Sequence, residues 1–247
     1  MASRYRWGLV ALAALLALIL PPAVMWTRAS GLSPLSALFA LSVGRRSAEF
    51  GAEDVSGEVR RLADWVARSR DNAGVGFIII DKKRAKIHVF DAASRLTRSS
   101  PILLGGAPGD DTVPGIGARP VDAVRPEERT TPAGRFVAER GRNLRGEDVV
   151  WVSYEDGVSI HRVLTTRPEE RRLERLATPG TDDNRISYGC INVPAAFFEE
   201  FVAPAFARHR AMVYVLPEVK SFEEVFGIPP AASIWAAGPT HSGSGTS

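Results

Sequence analysis

The chain is 247 residues long, 45% hydrophobic and 24% charged, with 31 Lys and Arg against 28 Asp and Glu. Those values suit one ordinary globular domain that buries its core without disulfides. A formal charge of +3, with both signs interspersed along the chain, is compatible with anionic polymers or membrane surfaces but does not mark a nucleic-acid binder.

Arg4 and Arg6 precede an apolar run from Trp7 to Trp26 that only Pro21-Pro22 interrupts. A basic start followed by an apolar stretch is the export pattern. The run is about 20 residues, enough to cross a bilayer, while the two prolines shorten its continuous part toward the core of a signal peptide. Residues 1–27 are therefore read as a signal peptide or membrane anchor, with an uncleaved inner-membrane anchor slightly favoured. Either way the bulk of the chain is exported, to a periplasmic location, with the basic N-terminus held inside.

Residues 28–74 read as a tether rich in Ser, Gly and Ala, then an amphipathic helix over 53–70. Val55, Val59, Leu62 and Val66 recur on one helical face, and Asp71-Asn72-Ala73-Gly74 ends it. Residues 75–216 form the expected core domain. A β-branched run at 77–80 and a second strand at 86–90, joined by Asp81-Lys82-Lys83, predict a hairpin. Pro and Gly then mark a long loop-rich stretch over 101–115. Further strands are expected at 134–139, 149–153 and 157–160, and Tyr154-Glu155-Asp156-Gly157 is a hairpin turn because Asp-Gly adopts positive φ readily. A charged helix is expected over 168–177 and a Phe-rich helix over 194–208, which Pro204 kinks or ends. A last strand covers 212–216, and 217–247 read as a Pro/Gly/Ser-rich tail. The expected fold class is mainly β with a few helices (α+β).

The chain has a single cysteine, Cys190, in Ser187-Tyr188-Gly189-Cys190-Ile191-Asn192. In an oxidising compartment a lone cysteine has no partner within its own chain. It is buried and inert, paired with another chain, or reactive; the preceding glycine and the helical pattern starting at Pro194 favour reactive. An ordinary thiol, with a pKa of about 8.5, is only about 3% thiolate at pH 7. A helix beginning just after Cys190 would favour the anion through its N-terminal partial charge. Main-chain N–H groups around Gly189 and Cys190 would face a developing oxyanion. Of the four histidines, His161 is the favoured base, because it ends a strand and opens the loop leading to Cys190. His241 lies in the tail, His209 follows the Phe-rich helix, and His88 reads as an outward-facing strand residue. No Cys/His metal spacing is present.

Ser187-Tyr188-Gly189-Cys190-Ile191-Asn192 resembles the active-site motif of the L,D-transpeptidases (the YkuD-type catalytic domain), whose usual form is Ser-His-Gly-Cys followed by an apolar residue and Arg or Asn. Thr131-Pro132-Ala133-Gly134-Arg135-Phe136 is similar to that family's Thr-Pro-x-Gly-x-Phe segment. Ser159-Ile160-His161 sits where its histidine ends a strand, and 212–215 resemble its closing strand. The resemblance spans 75–216 and implies a sandwich-like β fold acting on peptidoglycan stem peptides. By this likeness Cys190 attacks the stem peptide and forms a thioester, and His161 moves the proton. The carbonyl of Arg162 orients the imidazole, and Ser187, Gly189, Tyr188 and Asn192 support the site. The acyl group then passes to a second stem, a lipoprotein or a D-amino acid. No cofactor or metal is implied, and no nucleic-acid partner.

Two departures stand out. Tyr188 replaces the motif histidine, and a longer stretch than usual separates His161 from Cys190. Its charged part, 167–177, is expected to be a solvated surface helix in preference to a lid over the acyl-enzyme. Two rivals remain at this point: a murein peptide hydrolase using the same Cys190/His161 pair, and a catalytically silent murein-binding module.

Overall fold

The computed structural model describes residues 46–228. The expected membrane or signal segment, the tether up to residue 45 and the tail from 229 onward lie outside the described residues. Among the described residues no helix is long and apolar enough to cross a membrane.

The first helix, α1 (Gly57–Ser69), begins later than the 53–70 expectation because Ser56 caps it. The Ser56 hydroxyl accepts the Val59 N–H at 3.2 Å, satisfying one of the otherwise orphaned first-turn donors. Val59, Leu62, Ala63, Val66 and Ala67 form its buried stripe, and Arg70 closes it in the left-handed region.

Ten strands follow: β1 (Phe77–Asp81), β2 (Lys86–Phe90), β3 (Leu96–Pro101), β4 (Leu104–Gly105), β5 (Gly134–Arg142), β6 (Asp148–Ser153), β7 (Val158–Arg162), β8 (Arg185–Ser187), β9 (Ile191–Val193) and β10 (Ala211–Val215). Eight make one sheet in the order β3-β2-β1-β10-β5-β6-β7-β9, while β4 and β8 pair separately. The fold is mainly β with a few helices. β3, β4, β8 and β9 were not foreseen. β3 is a polar edge strand, and the other three have two or three residues each, too few to show a period.

β1 is central, antiparallel to β2 and parallel to β10, so its run Phe77-Ile78-Ile79-Ile80 is buried on both faces. Phe77 and Ile79 face α1, together with Tyr214 and Met212 of β10. Ile78 and Ile80 face the opposite way and share one cluster with Val150 and Val152 of β6, Val158 and Ile160 of β7, and Ile191 and Val193 of β9. The two halves of the sheet thus turn their inner faces toward one core, the arrangement of a sandwich. β5 makes this possible. Its first half pairs with β10 (Val137 opposite Met212) and its second with β6 (Arg140 opposite Val150).

The Phe-rich helix is a composite: Ala195–Phe197, a π-turn Phe198–Val202, and Ala203–Ala205. It stops short of the expected end. Pro204 has no N–H to give to the preceding turn, and a widened turn just before it accommodates that loss. The packed chain also runs on past Leu216. Ser221 and Glu224 form a capping box on a short helix (Phe222–Phe226), and Phe222 and Ile228 are buried in the cluster beneath α1.

Candidate active site

The cleft is built by strand alternation. β7 and β9 run parallel, with Ile160 opposite Ile191 and His161 opposite Asn192. Successive strand side chains point to opposite faces. Ile160, Ile191 and Val193 therefore enter the core, while Ser159, His161, Cys190 and Asn192 share the other face. They open on a cleft of about 370 Å³ that Leu144, Trp151, Leu164 and Tyr188 also line.

Cys190 is half-buried. Its thiol donates to the Gly157 carbonyl at 3.4 Å and lies 3.7 Å from the Ser159 hydroxyl. Burial pushes the thiol pKa up, but hydrogen bonding and charge from the His161 ring, aided by Ser159, outweigh it and the net shift is downward. For His161, burial pushes the pKa down, and the Cys190 sulfur and the Arg162 carbonyl reverse that to a net rise. Both shifts favour a thiolate–imidazolium pair. His161 Nδ1 lies 2.7 Å from the Arg162 carbonyl oxygen. That contact makes Nδ1 the protonated donor and leaves Nε2 to exchange a proton with the sulfur.

Activation by a helix N-terminus, expected from the pattern at Pro194, is not what the fold provides. Cys190 leads into strand β9, and the helical run starts only at Ala195. His161 and Ser159, across the sheet from the thiol, supply the stabilisation instead.

The loop that carries Cys190 is tied down on both sides. The Ser187 hydroxyl donates to the Cys190 carbonyl (2.6 Å) and accepts the Gly189 N–H (3.1 Å). That N–H is thereby committed, contrary to the expectation that it faces an oxyanion. Thr131 Oγ1 donates to the Gly189 carbonyl (2.9 Å) and accepts the Gly105 N–H (2.9 Å). Gly189 is required twice over: its φ is +120°, and a Cβ would meet the Thr130 carbonyl oxygen at 2.7 Å. Tyr188 lies beneath the Arg129 guanidinium, 4.1 Å from ring centre to the guanidinium carbon, and Arg129 is in turn held by the Val124 carbonyl. Asn192 is wholly buried; its amide donates to the Cys190 carbonyl at 3.3 Å.

Segment 167–177 is not the free solvated helix expected. A 3-10 turn (Pro168–Glu170) and a left-handed Arg171 precede a short helix α2 (Arg172–Ala177). The outer side chains Leu173 and Glu174 are exposed, but Arg175 donates to the Glu170 and Asp183 carbonyls. Arg167, Glu170 and Arg172 form one wall of the cleft.

The other histidines stand apart. His88, expected to face outward, is fully buried in β2 with Nδ1 2.8 Å from Ser99 Oγ. Its Nε2 has no partner among the described residues, and burial brings its pKa down to about 4. His209 is exposed and lies outside the cleft. His241 is outside the described residues. No group of His, Cys, Asp and Glu among the described residues is arranged to hold a metal ion.

Sequence reasoning missed four residues that shape the site: Ser159, Thr131, Arg172 and Lys82. Ser159 was legible in principle, being two residues before His161 on the same strand face. Lys82 was not. Read as part of a simple turn, its ammonium is completely buried, donating to Asp110 Oδ1 (2.7 Å) and to the Gly109 and Thr131 carbonyls (2.6 and 2.8 Å). Asp110 also accepts the N–H groups of Glu218, Val219 and Lys220. Burial raises the Asp110 pKa, but Lys82 and these N–H groups outweigh it and bring it to about 2. This buried ionic centre holds Thr131, which holds Gly189.

No family model matches the chain, and no curated protein matches it. Solved structures do. The helical cell shape determining protein Pgp2 from Campylobacter jejuni is 16% identical with a TM-score of 0.41, covering 59% of this chain and 49% of that one. The LD transpeptidase LdtMt1 in complex with imipenem is 16% identical with a TM-score of 0.34, covering 57% of this chain and 59% of that one. The L,D-transpeptidase from Mycobacterium smegmatis is 15% identical with a TM-score of 0.33, covering 57% and 58%. The match therefore spans between 49% and 59% of the length of these structures. Likenesses this distant carry no functional argument; the residues of the cleft have to carry it.

Proposed function

We propose that this chain is a cysteine acyltransferase of the L,D-transpeptidase type, acting outside the cytoplasm on peptidoglycan stem peptides. The observation that carries the reading is the mutual polarisation of Cys190 and His161 in one open cleft, with His161 Nδ1 fixed on a main-chain carbonyl. An inert cysteine filling a core has no use for a histidine oriented in this way. The motif around Cys190 and the N-terminal apolar run support the substrate and the exported location.

In this mechanism His161 Nε2 takes the thiol proton and the Cys190 sulfur attacks the stem-peptide carbonyl. The Gly189 N–H is already engaged by Ser187, so the main-chain donor left beside the sulfur for the oxyanion is the Cys190 N–H. Collapse breaks the peptide bond, His161 returns its proton to the leaving D-amino acid, and a thioester remains. An amine from a second stem, a lipoprotein or a D-amino acid then attacks the thioester and restores the thiolate–imidazolium pair.

The test is mass spectrometry of tetrapeptide muropeptides incubated with the purified protein, with and without an added D-amino acid. Crosslinked dimers or exchange of the terminal residue, both lost in Cys190→Ala, are the expected outcome. Tripeptide alone would reassign the enzyme as a hydrolase. No turnover of any stem peptide by a protein whose Cys190 is alkylatable would overturn the substrate assignment.

A further inference from the structure

Arg172 is unusual among the arginines of the cleft. Its side chain is only 10% exposed. Nη1 donates to Asn192 Oδ1 at 2.6 Å and Nε to Glu170 Oε2 at 2.5 Å. The other end of the Asn192 side chain donates to the Cys190 carbonyl at 3.3 Å. A continuous chain of polar contacts thus runs from Arg172 on α2, through a fully buried amide on β9, to the main chain of the nucleophile. Arg175 fastens the far side of α2 through the Glu170 and Asp183 carbonyls, so the guanidinium is delivered from a braced support.

We infer that Arg172 is a positioning residue for Cys190: by locking Asn192 it fixes the Cys190 main chain, and the segment 167–177 exists in this chain to bring it there. An amide buried beside a strand has two faces to satisfy. Cys190 takes the donor face, and without Arg172 the Asn192 oxygen would lose its charged donor. A planar guanidinium serves two acceptors at fixed angles, whereas an ammonium on a flexible stem does not. The charge matters as well, because Arg172 works against protonation of His161. The other charged groups lining the cleft are Arg145 and Glu147 on the β5–β6 turn, and Arg167 and Glu170 on the same segment, while Arg162, next to His161 on β7, points to the opposite face over the Phe198 ring. Arg162 is tied to Glu199 and the Asp148 carbonyl, and Glu170 to Arg172.

The inference rests on the reading of Cys190 as a nucleophile, and its test separates the two. The second-order rate of Cys190 alkylation by iodoacetamide is measured from pH 5 to 9 in the full chain and in Arg172→Gln, Arg172→Lys and Asn192→Ala, with the melting temperature of each. Arg172→Gln is expected to slow alkylation at pH 7 by roughly threefold or more, because the main chain is less well held, and to move the inflection to lower pH, because His161 protonates more easily without the Arg172 charge. Arg172→Lys restores the inflection but not the rate, and Asn192→Ala slows the rate without needing a charge change. A wild-type thiol that reacts below pH 8, with all three variants following the same rate profile, overturns this inference alone, whether or not their melting temperatures fall. A wild-type thiol that does not react overturns the nucleophile reading and this inference with it.

Discussion

Thr131 Oγ1 lies 2.9 Å from the carbonyl oxygen of Gly189, the residue before Cys190, and the same hydroxyl accepts the Gly105 N–H. One hydroxyl therefore satisfies two buried main-chain groups. Thr131→Val keeps the shape and removes both bonds. The expected cost is about 1–3 kcal/mol of stability, read from urea unfolding, together with slower alkylation of Cys190 because the loop loses one of its two straps. Unchanged alkylation in a folded Thr131→Val protein would show that Ser187 alone holds the loop.

Beneath Thr131, the Lys82–Asp110 centre gives an ordered pair of effects. Asp110 serves one ammonium and three N–H groups, so Asp110→Ala strands three buried donors and leaves the Lys82 ammonium with only the more distant Glu218 carboxylate, at 3.5 Å, as a counter-charge. Lys82→Met leaves Asp110 still solvated by main-chain N–H groups. Both are destabilising, Asp110→Ala by about 3–5 kcal/mol and Lys82→Met by less. Equal or reversed unfolding free energies would contradict this account of the centre.

His88 sets the acid limit of stability. Its pKa is brought down from 6.5 to about 4 by burial, so the unfolded chain binds a proton that the folded chain refuses. Stability is full above about pH 6.5 and falls as the pH drops toward 4. Asp110, held at about 2, contributes stability that is lost only at lower pH, below the ordinary carboxylate range. Unfolding midpoints measured from pH 7 to 4.5 are expected to fall more steeply in wild type than in His88→Gln. Parallel curves would remove His88 from the explanation.

The thiol itself titrates in partnership. Alkylation of Cys190 is expected to persist below the range of a free thiol, because His161 favours the anion. His161→Ala removes that support while leaving the burial that opposes it, so its inflection moves upward and its rate at pH 6.5 falls by about tenfold or more. A matching profile in both proteins would transfer the activation to another group.

Much of this architecture is legible in the sequence because it is local. The apolar run of β1, its mate β2 and the Asp-Gly turn before β7 each declare themselves by period or by turn chemistry, and the structure places Gly157 at a φ of +69° as that turn demands. His161 and Cys190 are legible as a pair only through the motif around the cysteine. What periodicity does not reveal are features that depend on distant partners. Lys82 looks like a surface turn residue until Asp110, Thr131 and Glu218 close over it. Arg172 looks like one charge among many until α2 folds back onto Asn192. β8 and β9 are too short to show an alternation, yet it is β9 that replaces the anticipated helix beside the thiol and moves its stabilisation onto β7.

Strand β5 belongs to both halves of the sheet, hydrogen-bonded to β10 along its first residues and to β6 along its last. Neither half has a border at which it could detach and leave the other whole. Slow amide exchange should consequently disappear from the α1 side and the cleft side at a common denaturant concentration. The strands that line the cleft borrow their persistence from a layer on the far side of the molecule's core.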